Sequence, residues 1–177
     1  MIDLDFTRDL IFTAALFGVV TFVWTGWAQE RPPSTAWRIV LAVLSLGGAA
    51  LAGLTVPRLL RSWDEPTAMV VGSLPWIVYI VVFWIEVIAL VLGAVVLAKK
   101  GRKEFIAPLA LLIVGLHFFP LAFVFGQPIM FVTAILITAA AIAAALLPRE
   151  KCAPSFWCGI LAGPIFLTIG TICALSA

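Results

Sequence analysis

The strongest constraint on this chain is the spacing of its charges. Asp9 and Glu30 enclose 20 uncharged positions (10–29), and Arg38 and Arg58 enclose 19 (39–57). Glu65 to Lys99 leaves 33 positions (66–98) interrupted only by Glu86, Glu104 to Arg149 leaves 44 (105–148), and 26 follow Lys151 (152–177). A helix needs about 20 predominantly apolar residues to cross the ~30 Å hydrocarbon layer of a bilayer. The gaps therefore predict six spans, at about 9–28, 38–56, 74–98, 105–124, 129–147 and 154–175. The expected fold is all-α: a polytopic integral membrane protein, one six-helix transmembrane bundle over 1–177. Composition agrees. The chain is 64% hydrophobic and 11% charged, where a soluble domain carries about 25% charged residues.

The 44-residue gap divides at "FGQP", where Gly126 and Pro128 break a helix. In the 33-residue gap Pro75 suits the first turn of a helix, which starts the third span there and leaves 66–73 as an interfacial lead-in. A longer helix bent at Pro75 is the alternative.

Basic residues set an expected orientation. Arg31, Arg38, Lys99, Lys100, Arg102, Lys103, Arg149 and Lys151 fall in the odd-numbered connections, against Arg8, Arg58 and Arg61 on the opposite side. The positive-inside rule puts loops 1–2, 3–4 and 5–6 in the cytoplasm and both termini outside. The acidic start, with Asp3, Asp5 and Asp9, suits a translocated N-terminus and argues against a cleaved signal peptide, which begins with positive charge. Trp24, Trp27, Trp37 and Trp157 fall near one boundary, and Trp63 and Trp76 near the other, as interfacial anchors do. Trp84 lies deep, and its indole N–H there calls for a partner or a wet cavity.

Several chemistries are disfavoured. One histidine cannot build a bis-histidine haem or a three-histidine zinc site in a single copy. No phosphate-binding glycine loop is present. Cys152 and Cys158 lack redox spacing, and Cys173 reads as a small hydrophobe. The expectation is no cofactor and no metal. The net charge of +2 is too small to point to nucleic acid as a partner. Loop 2–3, with Arg58, Arg61, Asp64 and Glu65, reads as a solvated cap with surface salt bridges, and "AKKGRKE" as a basic turn facing anionic lipid. "GILAG" (Gly159, Gly163), the alanines of helix 5 and "LSLGGAALAG" supply small residues for close helix packing. The expected use is within one chain, and a homodimer face is the alternative. Thr21 and Thr25, and Thr168 and Thr171, read as hydroxyls bonding their own helix carbonyls.

The functional clue is a polar pair. Glu86 is 12 residues before Ala98, and His117 is 12 residues after Phe105. At about 1.5 Å per residue both lie about 18 Å from the same end of neighbouring antiparallel helices. An isolated charge at that depth is expensive, so the two are expected to pair and to share one exchangeable proton. Tyr79, Glu86 and Gly93 share a stripe flanked by Val82, Phe83 and Leu90, and Ala110, Ile113, Val114, His117, Pro120 and Leu121 share a face of the next helix. The candidate substrate- or proton-binding residues are Glu86, His117, Tyr79 and Trp84.

The block "GLHFFPLAFVFGQPIMFVTA" (Gly115 to Ala134) resembles a segment of uncharacterised small multi-pass bacterial membrane proteins. In them a Gly-Leu-His-Phe opening leads to Pro-Leu-Ala and then a second helix. The resemblance covers about 20 of 177 residues and directs attention to Gly115, His117, Phe118, Pro120, Leu121 and Ala122. It implies a bacterial inner-membrane setting and no particular activity. Three functions follow as expectations. The first is a small transporter or permease-like protein that takes a small solute or proton at Glu86 and His117. The second is an accessory or lipid-binding subunit in which the pair is a clamp. The third is an intramembrane enzyme.

Overall fold

The computed structural model describes residues 5–177, so Asp3 and the first positions of the expected domain lie outside it. Six helices form: α1 (Thr7–Trp27), α2 (Thr35–Arg61), α3 (Leu74–Lys99), α4 (Ile106–Val124), α5 (Pro128–Leu146) and α6 (Pro154–Ser176). All six are long and apolar enough to cross a membrane. They remain apolar on their outer faces, with Leu46, Leu54 and Ile85 each more than 60% exposed. A helix hydrophobic all round needs an apolar surrounding.

Each boundary has a local cause. α5 and α6 begin at Pro128 and Pro154, and α3 carries Pro75 in its first turn, where the missing N–H has no helical partner to lose. Ser73 caps α3, its Oγ accepting from the Trp76 N–H at 3.4 Å. The lead-in 66–73 therefore stays outside the helix, and no longer bent helix forms. The α3–α4 and α4–α5 turns end their first helices in the same way. Gly101 (φ +70°) and Gly126 (φ +61°) are left-handed, and the next N–H reaches back to Leu97 O at 2.8 Å and Ala122 O at 3.1 Å respectively. These are Schellman turns, and they favour glycine at that φ. One boundary moves. α2 passes through Pro57 and ends at Arg61, beyond the expected 56. Arg58 and Arg61 occupy its last turn, where cations suit the helix dipole.

The helices neighbour one another in the order α2, α1, α6, α5, α4, α3, and α6 also reaches α2 and α4. At the centre three rings from α1, α6 and α4 meet. Phe17 lies edge-on to Phe166 at 5.1 Å and to Phe118 at 5.5 Å. The α1 seams are built from missing side chains. A methyl at Gly18 would sit 2.6 Å from Ala52 N and 2.8 Å from Gly48 O. One at Gly159 would sit 2.5 Å from Trp24 O. The "GILAG" pair thus faces α1 of the same chain.

α3 is different. Among the described residues it is the helix with no buried side chain. It packs mainly on α4, at Gly93 against Leu109, and makes no comparable packing with α1.

Candidate functional site

The separation of α3 from α1 leaves a cavity of about 260 Å³ between α1, α3, α4 and the start of α5. Three helical stripes wall it. α1 supplies Thr13, Phe17, Val20 and Trp24, α3 supplies Tyr79, Val82, Phe83 and Glu86, and α4 supplies Val114, His117, Phe118 and Leu121. Spacings of three and four residues keep each set on one helix face. Along α1 the lining runs from Phe12 to Trp24, 12 residues (24 − 12), or about 18 Å of helix axis. Leu16 and Phe83 line the cavity from α1 and α3, each is 43% exposed, and these two helices do not pack on each other, so the cavity is open between them.

Glu86 and His117 face each other across the α3–α4 seam, with His117 Nδ1 at 3.2 Å from Glu86 Oε2. The distance is that of an ion pair. Alignment is poorer. Nδ1 is shielded from solvent and makes no well-directed hydrogen bond, to the carboxylate or to any other atom among the described residues. The distance establishes the pairing, and the missing alignment means that this nitrogen lacks the bond a buried polar atom normally has. The side chains are 17% (His117) and 20% (Glu86) exposed, so they reach the cavity as well as each other. The Phe118 ring, 4.4 Å from the imidazole, closes its far side. Opposite charges placed this close in an apolar wall stabilise each other, whereas either one alone is costly.

Of the other sequence candidates, Tyr79 lines the same cavity two turns along α3 from Glu86. Trp84 does not. It is 56% exposed on the outer face of α3, edge-on to Phe83 at 5.7 Å. An α-helix turns about 100° per residue, so two positions from Glu86 point away from it, and depth alone misplaces Trp84. Thr21, Thr25 and Thr171 donate to Phe17, Thr21 and Leu167 carbonyls at 2.7 Å and are occupied within their own helices. The three cysteines are buried and unpaired. Burial pushes the Cys152 thiol up, against the pull of the Arg31 guanidinium.

One anchoring residue escaped the sequence reading. Asp9 is 6% exposed, and its carboxylate accepts from the Thr67 hydroxyl at 2.7 Å and the Ala68 N–H at 2.8 Å. Arg8 lies over the Trp63 ring at 4.4 Å. The 62–73 connection is thereby strapped to the first turn of α1 and places the start of α3. This strap, with Arg58 donating to Ala174 O at 3.2 Å, takes the place of the salt-bridged cap expected there. Fifty-eight positions separate Asp9 from Thr67, and neither residue's neighbours signal the contact.

No protein-family model, curated protein or solved structure matches this chain significantly.

Proposed function

We propose that this chain is a small multi-pass protein of a bacterial inner membrane, permease-like, with a binding site for a small solute in the cavity beside Glu86 and His117. The observation that carries the reading is the coincidence of the two features. The ionisable pair in the apolar interior also lines a cavity walled by three helices. Ionisable groups within membrane helices are functional candidates by default, and ligand sites are concave, apolar and fitted with a few polar groups. With lipid around the bundle, the opening between α1 and α3 admits solute from the bilayer. The pair exchanges a proton as solute arrives and leaves. Loops 1–2, 3–4 and 5–6 face the cytoplasm, on the strength of their eight basic residues against three on the other side.

A second reading has its own support. α3 has no buried side chain, so the pair is one of its few ties to the bundle. In that reading the protein is an accessory or lipid-binding subunit and the pair is a clamp. An enzyme acting through Glu86 stands behind both.

Calorimetry with benzyl alcohol, an aromatic with one hydroxyl, separates the first two readings. A solute site gives saturable binding that disappears in Val114→Phe, which fills the cavity. Undiminished binding to a folded Val114→Phe protein, or no saturable binding to the wild type, contradicts the site.

A further inference from the structure

We infer that the solute of this cavity is a small lipophilic cation, an amine or quaternary ammonium with an aromatic or aliphatic body. This deepens the binding-site reading and rests on it. The first support is charge. Among the described residues lining the cavity, Glu86 is the acid, and no lysine or arginine is present to neutralise it. The second is composition. Seven of the 16 lining residues are Phe, Tyr or Trp, in a chain that is 12% aromatic, for which about two would be expected. Ring faces attract cations, most strongly where water is excluded. Tyr79 and Phe83 share the α3 wall with Glu86, and Phe17 and Phe118 line the same cavity from α1 and α4, so charge and rings act on one occupant. An anion meets the carboxylate and the negative ring faces together and is rejected.

His117 then has a definite role. Its protonated ring and the incoming cation compete for the same carboxylate. The titratable side chains facing the cavity are Glu86 and Tyr79 from α3 and His117 from α4; the lining residues from α1 and α5 carry none. Binding of the cation displaces the imidazolium from Glu86, and the proton leaves His117 for water. Cation entry is thereby exchanged for proton exit, and the opening between Leu16 and Phe83 suits an entrant already dissolved in lipid.

The test uses the full chain in detergent or nanodiscs, with benzyltrimethylammonium and its uncharged carbon analogue neopentylbenzene. The ammonium ion has no N–H, so it reports charge without hydrogen bonding. Calorimetry is expected to show the cation binding roughly tenfold or more tightly than the neutral analogue, with Glu86→Gln erasing that preference. Unbuffered titration at a pH where the pair is protonated is expected to release about one proton per cation bound. His117→Gln, which removes the competing charge, is expected to bind the cation more tightly at low pH than the wild type does. Should Glu86→Gln fail to fold, the His117→Gln comparison and the proton count still decide. Equal affinity for the cation and the neutral analogue, or cation binding without proton release, overturns the inference. If benzyl alcohol still binds saturably in that case, the site stands and only the cation class falls; if none of the three binds, both fall.

Discussion

The two sides of this bundle hold their helices together by opposite means. On the α1–α2–α6 side the seams are made by absence. Gly18, Gly48, Gly159 and Gly163 bring helix backbones and side chains into direct contact. On the α3 side the helix touches little beyond α4, and that seam holds a Glu–His pair beside its one glycine contact, Gly93 against Leu109. In an apolar solvent close packing alone can join helices, because small residues let many weak dispersion contacts form. A seam that keeps an ionisable pair and a cavity instead has given up part of that packing. In the proposed function the α1–α2–α6 side is the scaffold and the α3–α4 side carries the binding site.

Variants can press on that contrast. The largest effect belongs to the scaffold. Gly18→Ala places a methyl against the α2 backbone, which has no rotamer with which to yield, and is expected to destabilise by about 3 kcal/mol, the upper part of the usual overpacking range. Resistance to unfolding in mixed detergents measures it, and a wild-type midpoint would show that the seam is not close-packed. Next comes the strap between the two sides. Asp9→Ala leaves the Thr67 hydroxyl and Ala68 N–H without their acceptor and is expected to cost about 1–3 kcal/mol. Its signature is faster amide exchange over 66–73 with α6 unchanged. Smaller again is the polar seam. Glu86→Gln and His117→Gln are each expected to cost about 1 kcal/mol, with a coupling below about 2 kcal/mol in a double-mutant cycle. A larger coupling would make the pair a principal clamp and sharpen the second reading. The smallest effect is Gly53→Ala on the open face of α2, where nothing lies within 4 Å of the added methyl. It is expected to be neutral or to stabilise by less than about 1 kcal/mol, through helix propensity alone.

How much of this was legible in the sequence follows from the range of each cause. The six spans were legible because span length and apolar composition are local properties. α2 overran its expected end because the reading stopped at Pro57 and Arg58, whereas a helix near its terminus accommodates both a proline and a snorkelling arginine. Glu86 and His117 could be brought together because they flank one short turn at equal depth. Trp84 lies outside the cavity because a side chain's place on a helix is set by angle as well as by depth. The Asp9 strap and the cavity were out of reach. Both depend on how α1 stands relative to α3, and that relation is fixed by packing among helices distant in sequence.

The central claim is that the Glu86–His117 pair is a titrating site and not an inert bridge. Infrared difference spectroscopy of the purified protein, wild type against Glu86→Gln, tests it most directly. The wild type is expected to show a carboxyl stretching band that changes with pH and is missing from the variant. A Glu86 carboxyl whose spectrum does not change with pH would contradict the account and leave the pair as a clamp.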